Sequence, residues 1–426
     1  MAVPVMLRSL RHHNYRLWAL SDLVSITGTW MQVLGLNWLI LSITHSATSV
    51  GFGLVLNALP AVLLGPWAGA VADRLPVRPL VLGAQVLQAV LAVLLTLIAL
   101  GDPQSTAPLY AISLASGLVA AVTGPALGRF GAEVVGPDDL SNALALGSLF
   151  NSAGRILGMS LAGALIPLVG VPGVFAGNAL SFGAVIIAIL MMRGAEMHPV
   201  PKAAESERGI ADGLRYVLRT PWLLVTFALA FVLGSLGRNY QVTMAAMSEG
   251  PLHAGAAGYG FLSVAFAIGT VIGGVYAAAR THLSLALLLG LGLVCSVGQM
   301  ISGLTPGLIA FAAVIVPVAA GAVVIDTVVS TRAQLDSPGH LRGRIIAAQG
   351  MVGAAAGAAG GPALGALCDT LGPRTALLLA GAVCAAAAVA ATYVLARTRP
   401  ERPGWLPAWA QRLLPRPTPA AVAAAG

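Results

Sequence analysis

Apolar runs long enough to cross a lipid bilayer recur along this chain from Leu17 to Val394, and the short breaks between them hold nearly all of its arginine. A hydrocarbon core of about 30 Å is spanned by roughly 20 apolar residues in an α-helix. Twelve runs are read, at 15–41, 47–71, 79–100, 108–128, 140–168 and 171–192, then at 221–247, 256–279, 282–304, 307–331, 343–368 and 375–396. They are continuous rather than alternating, which argues against barrel strands, and a lone strand would leave its backbone unpaired in lipid. With 58% hydrophobic and only 9% charged residues among 426, the composition is also far from that of a water-soluble domain. The expected fold class is an all-α polytopic membrane protein with twelve transmembrane helices.

Orientation follows from the basic residues. With the N-terminus inside, every Lys and Arg lies on the cytoplasmic side except Arg155 and Arg238, which fall within runs, and Arg374. The reverse topology violates the positive-inside rule, so both termini are expected in the cytoplasm. The same bias accounts for the net charge of +8, and no nucleic-acid partner is implied. The first run is too long for a signal peptide and no small-residue cleavage site follows it, so it is read as the first helix. Cys295, Cys368 and Cys384 have no paired spacing and read as small buried hydrophobes, while the seven His form no ligand cluster. Neither a metal nor a cofactor is expected.

The one long polar interruption divides the chain into an N-terminal six-helix bundle at 1–192, a cytoplasmic linker at 193–220, a C-terminal six-helix bundle at 221–396 and a cytoplasmic tail at 397–426. In the linker, Ile210, Leu214 and Val217 share one helical face and Arg208, Asp212, Arg215 and Arg219 surround the other, which suits an interfacial helix or a solvated connector. Trp405, Trp409 and Leu413, with Arg412 and Arg416, suggest a short surface helix in the tail, and Trp18 and Trp222 read as interfacial anchors. The two halves repeat. Pro137 to Leu140 recurs as Pro338 to Leu341, and Gly154 and Gly158 recur as Gly357 and Gly361. Such a repeat means a duplicated bundle, with the substrate site expected where the halves meet near mid-membrane.

After the second run the chain reads Gly69-Ala-Val-Ala-Asp73-Arg74-Leu-Pro-Val-Arg78. This resembles the loop signature of the major facilitator superfamily, with Pro79 where a second basic residue is common. The resemblance implies that Gly69, Asp73, Arg74 and Arg78 form a conformational gate, Asp73 sitting at the positive end of a helix from the other half. An ordinary charged loop is the alternative. Gly154-Arg-Ile-Leu-Gly158-Met159 is similar to the superfamily's antiporter motif, with Met159 in place of its proline, and Gly357 to Gly361-Pro362 keeps that proline. Small residues at this spacing equally serve close helix packing. Arg11 to Trp18, Gly28 to Gln32, Asn142 to Gly158, Asn178 to Phe182 and Leu341 to Arg344 resemble the exporter branch that includes the enterobactin exporter and macrolide-efflux-like bacterial proteins. Ser21-Asp22 stands where that branch more usually has Gly-Gln.

Polar residues inside the runs bear on mechanism. Asp22, Ser25, Thr29 and Gln32 share one face of the first helix, Asp326 and Ser330 form a patch in the tenth run, Arg238, Asn239 and Tyr240 interrupt the seventh, and Arg155 lies in the fifth. An ionisable group at a helix centre costs at least about 2.5–3.5 kcal/mol, so these groups should face a cavity or one another. Asp22, Gln32, Arg155, Arg238, Asn239, Tyr240 and Asp326 are the expected substrate or proton pathway. A structural ion pair or a partly hydrated interfacial acid is an equal reading for Asp22, and bracing of a helix contact an alternative for Arg155.

No nucleotide-binding glycine loop with Lys is present, so the chain has no means of its own to use ATP. The expectation is a secondary active transporter of a bacterial cytoplasmic membrane, acting as a monomer. It would export a small amphipathic molecule, such as a drug, antibiotic or siderophore, by alternating access in exchange for protons. An importer or uniporter of a small metabolite is the rival within transport. A membrane enzyme would need a clustered nucleophile, base or metal set, and none is legible.

Overall fold

The computed structural model describes residues 5–136, 139–198, 210–280, 283–337 and 342–398. The side chains of 65–74 and 210–214, among others, lie outside the described set. So do three sequence expectations: the side chains of Gly69, Asp73 and Arg74, the repeated segment at 338–341, and the surface helix of the tail.

Thirteen α-helices follow one another among the described residues, with no strand. They are α1 (His13–Thr44), α2 (Ala47–Arg74), α3 (Val77–Leu100), α4 (Ala107–Val135), α5 (Leu140–Met191), α6 (Ile210–Arg219), α7 (Pro221–Leu236), α8 (Tyr240–Glu249), α9 (Gly255–Ala278), α10 (Leu285–Leu304), α11 (Leu308–Leu335), α12 (Arg342–Leu371) and α13 (Pro373–Thr398). Eleven helical segments are long and apolar enough to cross a membrane. One of them, Leu149–Met191, has 43 residues, about 65 Å at 1.5 Å per residue, or twice the hydrocarbon thickness. It is two crossings joined at Gly170, whose φ of 70° and ψ of 174° belong to a region that only glycine enters readily. Pro167 and Pro172 flank the joint, and the twelve expected crossings are all present.

The seventh crossing is itself broken. Neither α7, with 16 residues, nor α8, with 10, spans a bilayer, and together they make the segment Pro221–Glu249. Residues 237–239 separate them, where the sequence places Gly237, Arg238 and Asn239.

The described residues form two compact units, drawn from Met1–Glu205 with Met244–Ala267 and from Ser206–Thr243 with Ile268–Gly426. In the first, α1 packs chiefly on α5, α2 on α4, and α3 on α5 and α4. In the second, α7 packs on α12 and α13, and α10 on α13 and α11. Glycines permit the closest of these approaches. A Cβ on Gly154 or Gly158 would overlap Ile26 or Thr27 and Trp30 of α1, and one on Gly117 would strike the backbone of Asn57. In the second unit the corresponding contact to α7 is made by Gly360, against Ser235, and not by Gly357, around which there is open space.

A short 3₁₀ helix, Val5–Arg11, ties the start of the chain to α5. Ser9 donates from its backbone N–H and its hydroxyl to Asn142 Oδ1 at 3.0 and 2.7 Å. Asn14 is buried and exchanges two 2.9 Å hydrogen bonds with the backbone of Arg193, while the Tyr15 hydroxyl donates to Ala143 O. Trp18, expected at the lipid interface, is instead 8% exposed and meets Phe130 edge-on, with ring centroids 4.9 Å apart. Its neighbours Val81, Val134, Val185 and Ile189 form an apolar core deep enough to take the whole indole.

Candidate functional site

The first unit encloses a cavity of about 490 Å³, within the size range of small-molecule sites. Asp22, Ser25, Thr29 and Gln32 of α1 all line it, because residues three and four apart share a helix face. Amide side chains from the other helices complete a polar wall: Asn57 of α2, Gln85 and Gln88 of α3, and Asn151 and Asn178 of α5. Asn178 donates to Gln32 Oε1 at 2.7 Å and so bridges α5 to α1. Asp22 has no hydrogen-bond or ion-pair partner among the described residues.

Arg155 is not among the residues lining this cavity. Its guanidinium lies over the indole of Trp30, 5.7 Å from the ring centroid, and of the two residues Trp30 is the one that lines the cavity. Asn151, one turn earlier on the same face of α5, lines the cavity, whereas the Arg155 side chain is drawn to Trp30 of α1.

The second unit holds a larger cavity, of about 740 Å³, built around the break between α7 and α8. Arg238 and Asn239 from the break line it together with Asp326 and Ser330 of α11 and Gln349 and Gly357 of α12. Arg238 and Asp326 form an ion pair across the cavity wall, so the two charges offset each other in a setting where either alone would be costly. Tyr240 turns away. It is 4% exposed and lines a narrow crevice with Cys295 and Gln299.

Breaking a helix in lipid strands backbone carbonyls, and here side chains meet them. Asn239 Nδ2 donates to Ser235 O at 2.8 Å and to Gly234 O at 3.3 Å, and Gln299 Nε2 donates to Leu236 O at 2.8 Å. Non-helical backbone is thus tolerated beside a cavity, as in the discontinuous helices of membrane transporters.

Of the expected gate residues, Arg78 has a described side chain. It donates to Ile189 O at 2.7 Å and Met192 O at 3.1 Å, capping the C-terminal end of α5, where carbonyls lack helical partners and a cation is favoured.

Two polar cavities on interrupted, closely packed membrane helices fit a transport fold, and the sequence profile of the transmembrane secretion effector family, within the major facilitator superfamily, matches residues 6–402. The chain belongs to this family. Over 175 residues it is 26% identical to the staphyloferrin A transporter of Staphylococcus aureus, a match that spans 40% of this chain and 43% of that protein. The nucleoside transporter NupG superposes with a TM-score of 0.71 at 13% identity, covering 90% of this chain and 99% of NupG. A bacterial homologue of the iron transporter ferroportin, in an inward-facing state, gives 0.70 at 17% identity over 89% and 98% of the two chains. At such identities the structures share the fold, that of a major facilitator transporter. The secretion effector family and these relatives are transporters and not enzymes.

In this family member, sequence reading of the site missed Asn57, Gln85 and Gln88. Uncharged amides raise no alarm in a hydropathy window. Their signal was available in the three-residue spacing of Gln85 and Gln88 within an otherwise apolar run, which puts both on one face of α3.

Proposed function

We propose that the chain exports a small amphipathic molecule across a bacterial cytoplasmic membrane in exchange for protons, with both termini cytoplasmic. The observation that carries this reading is Asp22, an acid on the cavity face of α1 with no partner among the described residues, whereas Asp326 is held by Arg238. A carboxylate at a cavity wall binds and releases a proton as helix motion alters its exposure. Export is favoured over import by the secretory character of the family, and the partial match to a siderophore transporter keeps siderophore-like molecules within the range of cargo. The bias of Lys and Arg to one set of loops supports the orientation. In alternating access, Gly69, Asp73, Arg74 and Arg78 would lock the cytoplasmic side, the last through its hold on the end of α5. The test is Asp22→Asn in proteoliposomes loaded with a panel of amphipathic dyes. Uphill, gradient-driven transport should be lost while downhill exchange remains measurable. Wild-type accumulation against a gradient would remove Asp22 from the coupling role and leave it a structural one.

A further inference from the structure

The hydrogen-bonding character of the cavity in the first unit specifies more than its size. Where an amide faces a backbone carbonyl, chemistry decides which of its ends does so, since a carbonyl only accepts. Asn57 Nδ2 donates to Ser113 O and Gln88 Nε2 to Ser116 O, both at 3.2 Å. Their oxygens, Asn57 Oδ1 and Gln88 Oε1, have no partner among the described residues. Gln85 Oε1 is buried and likewise without a partner among them. The hydroxyls of Ser113 and Thr123 spend their protons on Leu109 O and Val119 O of their own helix, at 2.9 and 2.7 Å. What remains to meet a ligand on these helices includes three amide oxygens, beside the second N–H of each amide and the Ser116 hydroxyl. Asp22 adds a carboxylate, and no Lys, Arg or His lines the cavity among the described residues.

An anion entering here would lose its hydration, gain no cation from the lining and meet the Asp22 carboxylate, which is an unfavourable exchange. A cation that carries N–H groups would pair with Asp22 and donate to the amide oxygens. We infer that this cavity binds protonated primary or secondary amines, selecting hydrogen-bond-donating monocations over both carboxylates and quaternary ammonium ions. The inference rests on the transport reading above and narrows its cargo. Trp30 supplies an apolar wall beside the acceptors, so the favoured ligand is an amine with an attached aromatic or aliphatic body.

The test uses the full chain in lipid nanodiscs and three dyes of one scaffold: dansylcadaverine, its trimethylammonium derivative and dansylglycine, which carry an ammonium, a quaternary ammonium and a carboxylate. Binding is read from the dansyl emission. Dansylcadaverine should bind saturably, at least tenfold more tightly than the quaternary derivative, and dansylglycine should not displace it. Asp22→Asn, which keeps the side-chain shape, should weaken dansylcadaverine at least tenfold, and Asp22→Glu should restore part of the loss. Gln85→Leu, of similar volume, should weaken the ammonium dye without affecting the quaternary one. Dansylglycine binding as tightly as the amine, unchanged affinity in Asp22→Asn, or saturable binding of none of the three would overturn the inference. Binding in nanodiscs needs no gradient, so a failure of proton coupling leaves these outcomes standing. Intact uphill efflux of a carboxylate would instead sink the amine selectivity and spare the transport reading.

Discussion

Asp139 stands at the start of α5 yet does not cap it, because its carboxylate is engaged elsewhere. Oδ2 lies 2.8 Å from His12 Nε2 and Oδ1 meets the Arg8 guanidinium, so one acid pins the chain's first turn to the fifth crossing. The hydrogen bond to His12, followed by the contacts of Arg8, holds this carboxyl below the usual carboxylate range. A depressed folded-state pKa contributes stability that is complete above the unfolded value, near pH 4, and is lost as pH falls through the lower folded one. Asp139→Asn should therefore lower the melting temperature of the detergent-solubilised protein at pH 7. The gap to wild type should close below about pH 4, and a gap that persists unchanged at pH 3 would contradict this account. At the same scale, the run from Arg11 to Trp18 that resembles the exporter branch is explained without chemistry on a substrate: Asn14, Tyr15 and Trp18 are buried and bonded at the ends of α5 or packed on Phe130.

Among the elements, the broken crossing α7–α8 is the one whose form depends on borrowed hydrogen bonds. Three carbonyls freed by the break are met by Asn239 and Gln299, and a buried acceptor left unmet costs about 1–3 kcal/mol. Asn239→Ala and Gln299→Leu should each reduce stability by an amount in that range, checked by thermal or denaturant unfolding in detergent. Because both side chains serve one break, the loss in the double variant should depart from the sum of the singles by about 0.5 kcal/mol or more. Simple additivity would mean that the two ends of the break are independent. The contrast with α5 is instructive. Its joint at Gly170 lies between two crossings, outside the hydrocarbon, where water can meet the freed carbonyls, and glycine conformation makes the turn.

For the molecule as a whole, a pair of glycines links the fifth crossing with the eighth. A Cβ on Gly163 would come within 2.8 Å of Gly260 Cα, and nearby Asn37 Nδ2 donates to the Tyr259 hydroxyl at 3.3 Å, both contacts lying inside the first unit. If the proposed alternating access opens and closes this contact, a branched side chain there blocks the closed state. Gly163→Val should cut transport at least tenfold with normal membrane abundance, measured as dye efflux from cells, and unimpaired efflux would show that close approach of these backbones is dispensable.

Fold class and the number of crossings were legible in the sequence because burial in lipid imposes a length and a polarity on every segment separately, and those two quantities are local. The break at Gly237–Asn239 and the joint at Gly170 were equally visible, since glycine, proline and charge act on their own stretch of chain. Which polar groups meet was not. Nothing local distinguishes Arg155, stacked on Trp30, from Arg238, paired with Asp326, and nothing in the spacing of Trp18 marks it as a core residue. Those outcomes depend on helix rotation and on partners far along the chain, set by packing of one helix against several others at once. The amide wall around Asp22 is of the same kind: its side chains come from separate helices, and the bonds that Asn57 and Gln88 give to α4 carbonyls decide which of their ends is left for the cavity.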